Sequence, residues 1–555
     1  MARPDYKRRK FLQYAAVGTM ATALPGCVFA EKVQINNKPS ASFKADVELE
    51  LTAQIAEVPI LPGPKTHVFS YHGKLLKGPK NALKDMPGYL GPIMNFEKGQ
   101  KVRIYFHNQL PEPCITHWHG MHVPQKMDGH PMYEIYRGEQ YIYEFEVENP
   151  AGTNWYHAHT HDMTATQVYQ GLAGLIIVTD DHEQKLDLPS DEYDISIVIQ
   201  DRRFSNGNQL RYLHGMHQRM IGFLGDTILV NGQADNTIPV KTRAYRLRVF
   251  NGSNSRIYKL GWKDGTPLTA IGTDGGLLEK PETFPYIMLA PAERIELWVD
   301  FSGRKPGSDL TLHSLEYHGG MPHMGGMRRG RGGMRRGMDE MGQGRQGGGG
   351  SRGGMGMMGM MAGGLGQGES FPIVKFHIAE KVGDSPKLPN TLVPMRRLTE
   401  KDVSNPDRIV PIAIGMRHMT FQLNGRTFAM QDAMDIEKIP VNSIQKIRIF
   451  HDNQGMGGMR GGMGMMGMMM SMPHPIHLHG QQFQILSRKQ NNANDNYDTV
   501  KDGFISSGWK DTVLVMPGEE IEIIKPFEDY TGLFLYHCHN LEHEDMGMMR
   551  NFHVG

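Results

Sequence analysis

Cysteine is nearly missing: three residues in a chain of 555 cannot supply a disulfide framework. A dominant charge is missing too. Lysine and arginine almost cancel aspartate and glutamate, and the formal net charge of +1 gives no electrostatic reason to expect nucleic acid or an anionic membrane as partner. No apolar run is long enough for a stable membrane span, and sustained helical periodicity is almost absent. What is abundant is glycine, methionine and histidine.

The length favours about three or four domains. The first residues, "KRRKFLQYAAVGTMATALPGCVFA", place Arg8-Arg9 before a short apolar stretch, which reads as a twin-arginine export signal over 1–30 and predicts a periplasmic or other extracytoplasmic location. Two processing points compete there: a lipid anchor at Cys27 in "LPGC", and cleavage after "VFA" at Ala30. Cys114 has no obvious partner and reads as a small buried residue.

Short β-branched and aromatic runs bounded by Gly, Pro, Asn and Asp predict an all-β chain. Three of them share an arginine, alternating apolar residues and an asparagine five positions on: "RIYFHN" from Arg103, "RLRVFN" from Arg246 and "RIFHDN" from Arg448. Each precedes a second strand after an acidic turn: "GEQYIYEFEV", "PAERIELWVDF" and "PGEEIEIIKPF". Three copies of one sandwich domain follow, over 46–182, 190–385 and 400–555. Two low-complexity inserts interrupt them, 318–368 in the second copy and 455–472 in the third; glycine gives neither a core of its own.

Four His-X-His elements occur, "HWH" (117–119), "HAH" (157–159), "HLH" (477–479) and "HCH" (537–539). Strand residues two apart face one side, so each element presents a pair of imidazoles. Eight imidazoles suit a cluster of three coppers. Cys538, between His537 and His539, must point to the opposite side of its strand, where its thiolate can bind a separate copper together with His474 and His543. Met548 is the candidate axial thioether, with Met546 and Met549 as competitors.

Through "HWHG", "WYHAHT", "HPIHLHG" and "HCHNLEHEDMGMM", in that order, the chain resembles the three-domain multicopper oxidases, and most of all the bacterial copper-efflux (cuprous) oxidases and laccases. The resemblance implies three cupredoxin-like Greek-key domains and four coppers. His117 and His477 would hold the type 2 copper. His119, His157 and His539 would hold one type 3 copper, and His159, His479 and His537 the other; His474, Cys538, His543 and Met548 would form the type 1 site. Asp128 and Glu544 match the family's acidic residues beside the cluster, with proton delivery as their implied role. His122, His161 and His451 match no ligand position and read as structural.

The implied reaction couples four one-electron oxidations to reduction of dioxygen to water in a monomeric enzyme, with Cu(I), phenols or Fe(II) as donors. Thioethers favour Cu(I), so the methionine inserts point to cuprous oxidation and copper tolerance. Met472, two residues before His474, matches a family methionine near the type 1 site, and Met416 is a further candidate for the substrate copper. Met470 stands where those oxidases carry an aspartate, and arginines within the inserts oppose a bound cation. A broad laccase-like oxidase of phenols or Fe(II) is the alternative enzyme. A copper-storing or scaffold protein of the same fold is the alternative outside enzymes.

Overall fold

Strand Val47–Val58 shows why the chain pleats: Val47, Leu49, Leu51 and Ala53 are fully buried on one face while their neighbours are more open. The same two-residue rhythm runs through Ser443–His451. The computed structural model describes residues 35–213, 215–318, 365–417, 420–452, 472–491 and 495–555. The export signal with Cys27, Met470 and most of the inserts 318–368 and 455–472 lie outside the described residues. Among the described residues no helix is long and apolar enough to cross a membrane.

The architecture is all-β, with six sheets forming three cupredoxin-like sandwiches. Their strands come from Val47–Thr179, Asp194–Glu380 and Val410–Val554 respectively. The described α-helices are short, the longest being Thr164–Gln170 with seven residues.

The three arginine segments occupy equivalent places. Lys101–Asn108, Ala244–Asn251 and Ser443–His451 each lie between a parallel neighbour and an antiparallel one. Each arginine segment is tied to a carboxylate on the antiparallel strand: Arg103 Nε to Glu144 at 2.6 Å, Arg246 Nε to Glu296 at 2.8 Å, and Arg448 to Glu522 at 3.2 Å. In the second sandwich buried Arg248 joins as well, reaching buried Glu296 at 2.8 Å and the partly exposed Asp194 at 2.8 Å. Asn108 and Asn251 each close the following turn through two backbone carbonyls.

The second sheets of the first and third sandwiches carry the histidines. Thr116–His117 pairs with Gly152–Ala158, setting His117 opposite His157. His474–Leu478 pairs with Gly532–Cys538, setting His477 opposite His537 and Ile476 opposite Cys538. Cys114 is buried.

Candidate metal centre

In each His-X-His element the middle residue enters a core and the flanking imidazoles face away from it. Trp118 packs edge-on to Tyr143 at 4.8 Å, and Leu478 and Cys538 belong to the core of the third sandwich. The eight imidazoles thereby meet between the first and third sandwiches. His119 stacks on His477 at 3.6 Å and His117 on His479 at 3.8 Å, one partner from each sandwich. His537 Nε2 lies 3.1 Å from His479 Nε2 and 3.4 Å from His159 Nε2.

Close nitrogen groupings are His117 with His119 and His157, His117 with His477 and His479, and His159 with His479 and His537. His539 lies 5.1 Å from His119 and 5.5 Å from His157, ring to ring. Their unused atoms fit a metal. The Nδ1–H groups of His117, His157 and His477 donate to the carbonyls of Asp128, Ala158 and Asp511 at 2.5, 2.8 and 2.9 Å. The opposite Nε2 of each is buried with no hydrogen-bond partner. A fixed tautomer with a dry, unshared lone pair is the arrangement a metal-bound imidazole takes. Burial first, then the neighbouring imidazoles, hold His119, His157, His159, His479 and His539 well below the usual histidine range, so all stay neutral at pH 7.

On the far side of the last strand, Cys538 Sγ is 3.5 Å from His474 Nδ1 and 3.8 Å from His543 Nδ1, and all three are buried. Met548, fully buried in the same core, accepts the Cys538 N–H on its carbonyl at 3.0 Å. Thiol and two imidazoles, with Met548 buried in the same core, form a set suited to copper. Met472 is buried and Met416 half-buried against this core.

The acidic residues differ in kind. Asp128 Oδ2 accepts from His479 Nδ1 at 2.8 Å, and its carboxyl is pushed above the usual range by complete burial, with His117 opposing. Glu544 Oε2 is 3.0 Å from His537 Nδ1; burial would raise its pKa, but His537 and His159 outweigh it and hold it near 2. A cleft of about 340 Å³ has Glu544, Asp545, His161 and Met549 in its lining. His122 and His161 sit outside the metal groupings, paired with Asp529 at 2.9 Å and Asp162 at 3.5 Å.

Three residues escaped the sequence reading. Asp511 accepts from His119 Nε2 at 3.1 Å and is locked as an anion: burial opposes the charge, but Arg294, at 2.6 Å, prevails. Its role shows only when Arg294 and His119 arrive from far away in the chain. Lys525 is buried within the electrostatic reach of Asp511 and Asp128, its ammonium donating to the Gln481 carbonyl; burial lowers it to about 7 against the pull of both carboxylates. Met220, from helix Met216–Ile221 in the second sequence block, offers its carbonyl to His543 Nε2 at 3.0 Å. Glu542 pins that segment by accepting from Phe223 N at 2.9 Å.

Family models described as multicopper oxidase match residues 81–183 and 402–555. "Multicopper oxidase mco" of Staphylococcus aureus is 28% identical over 504 residues, covering 91% of this chain and 88% of its own. "Cell division protein FtsP" of Photorhabdus laumondii is 27% identical over 551 residues, covering 98% and 97%. Among solved structures, McoA multicopper oxidase from Aquifex aeolicus matches with a TM-score of 0.70 and 29% identity, over 92% of this chain and 97% of that one.

Proposed function

Because the chain belongs to the multicopper oxidases, copper-dependent oxidoreductases, we propose that it holds four coppers and couples four one-electron oxidations of Cu(I) to reduction of dioxygen to two waters. His474, Cys538, His543 and Met548 hold the type 1 copper, and His117 and His477 the type 2. His119, His157 and His539 hold one type 3 copper; His159, His479 and His537 hold the other. Bound there, the coppers supply one-electron acceptance on one side of the final strand and dioxygen reduction on the other.

One observation carries this reading: Cys538 groups with His474 and His543, while both its chain neighbours join the imidazole cluster. Two peptide bonds therefore link the electron-accepting thiolate to the oxygen-reducing histidines. The remaining chemistry falls to protons. Burial of Asp128 favours its protonated form, so it can hold a proton beside His479 at neutral pH more readily than Asp511, which Arg294 keeps ionised. Glu544, against His537 and lining an open cleft, is placed to pass protons inward.

Cu(I) as donor is supported by buried Met472 two residues from His474 and by half-buried Met416. With the twin-arginine start, Cu(I) oxidation fits an extracytoplasmic enzyme of copper tolerance. The test is oxygen uptake with Cu(I), Fe(II) and a phenol on one fully loaded preparation, with metal analysis. About four coppers and the highest kcat/KM for Cu(I) are expected. A phenol or Fe(II) preference would make it a laccase-like oxidase or ferroxidase, and no substrate-dependent uptake would make it a copper-storing or scaffold protein.

A further inference from the structure

His451 ends the central strand Ser443–His451, and the chain re-enters the described structure at Met472. The two ends are joined: His451 Nε2–H donates to the Met472 carbonyl at 3.3 Å. That bond fixes the tautomer and leaves the lone pair on Nδ1, which is buried with no hydrogen-bond partner. A carbonyl on one ring nitrogen and a dry lone pair on the other is the condition of His117, His157 and His477 in the metal centre. An isolated lone pair of this kind is costly unless something binds it. The His451 ring lies 5.6 Å from that of His474, comparable with the 5.2 Å between His474 and His543.

The opposite approach to the thiol is closed. His543 Nε2 is taken by the Met220 carbonyl, Phe421 lies 3.9 Å over its ring, and Glu542 fastens the covering segment.

We propose that His451 Nδ1 is a further metal ligand, which together with the Met472 thioether receives the incoming Cu(I) beside His474. This rests on the cuprous reading above. Imidazole and thioether stabilise Cu(I) without the carboxylate that Met470 replaces, so a softer pair of ligands occupies the position next to the acceptor. Each Cu(I) bound there gives one electron through the His474 imidazole and leaves as Cu(II). Four such electrons, with four protons, convert one dioxygen to two waters.

The test uses the fully copper-loaded enzyme and Ag(I), a redox-inert stand-in for Cu(I). Ag(I) held beside His474 should raise the reduction potential of the blue copper, a readout insensitive to Ag(I) bound elsewhere on methionines. In His451→Ala and His451→Gln the half-saturating Ag(I) concentration should rise at least ten-fold, and the ratio of kcat/KM for Cu(I) to that for a phenol should fall at least ten-fold. Met472→Leu should act in the same direction. Unchanged Ag(I) titration and unchanged ratio in both His451 variants would overturn the assignment while leaving cuprous oxidation standing. Loss of the blue band in both would make His451 a strut for His474 and also overturn it. A wild-type enzyme that oxidises phenols but neither Cu(I) nor responds to Ag(I) would remove the cuprous reading itself.

Discussion

Cys538 is pushed well above the usual thiol range by burial, so only a metal can hold it as thiolate at neutral pH. Cys538→Ser should therefore abolish the blue absorption while the eight cluster histidines still load copper, as metal analysis and electron spin resonance would report. Removing a proton carrier should act differently. Asp128→Asn and Glu544→Gln are expected to retain copper and colour yet slow reoxidation by dioxygen by roughly ten- to a hundred-fold in stopped flow; unchanged rates would assign both residues to ligand orientation.

Lys525 gives a pH signature. Its folded value of about 7 lies below the unfolded one, which is about 10.4, so the unfolded chain binds more protons between those values and stability rises with pH there, by at most about 1.4 kcal/mol per unit. Lys525→Met should flatten that rise in urea titrations of copper-free protein at pH 7, 8 and 9. The ligands were legible in the sequence because strand periodicity turns His-X-His into a same-face pair. Asp511, Lys525 and Met220 were not, since each acts through a partner brought in from a distant strand. His451 was read as structural because a family pattern records positions, whereas its vacant Nδ1 appears only in three dimensions.

The arginine-bearing strands act as the keel of each sandwich. In the second, Glu296 answers both Arg246 and Arg248. Burial alone would raise its pKa, but the two guanidiniums hold it near 2. Its folded value lies below the unfolded one, so its stabilisation is present above pH 4 to 5 and is lost as pH falls toward 2. Glu296→Ala removes the carboxylate the two guanidiniums share, leaving Arg246 to Glu183 and Arg248 to Asp194, and should cost about 1–3 kcal/mol in denaturant unfolding, with copper content at 25 °C preserved because no ligand comes from this strand. The repeat of arginine, apolar alternation and asparagine marked these strands in the sequence. It could not reveal that Arg248, not Arg246, stands directly opposite Glu296, since register is set by the whole sheet.

At the scale of the molecule, the second methionine-rich insert, 455–472, runs up to His474 in the sequence and the first, 318–368, belongs to the second copy, most of both lying outside the described residues. If their thioethers deliver Cu(I), removing 321–361 should raise KM for Cu(I) several-fold with the copper sites intact, and small phenols should be oxidised at an unchanged or higher rate. Leucine in place of the methionines from Met456 to Met470 keeps bulk and removes sulfur; it should produce a larger selective loss, because that insert adjoins Met472. Equal losses for Cu(I) and phenol would reduce both inserts to lids. No periodicity can locate such segments, since glycine and methionine in irregular order specify no face to bury.

The candidate ligands begin at His117 and end at Met548, and they come from the first and third sandwiches alone. During synthesis the first half of the cage is finished long before the second exists, and domains fold in the order in which they emerge. A chain that has emerged only through the first sandwich thus carries only His117, His119, His157 and His159 of these, and owns no thiolate site. Complete metal groupings thereby arise only once the third sandwich is made, since Cys538 and four of the eight imidazoles come from it.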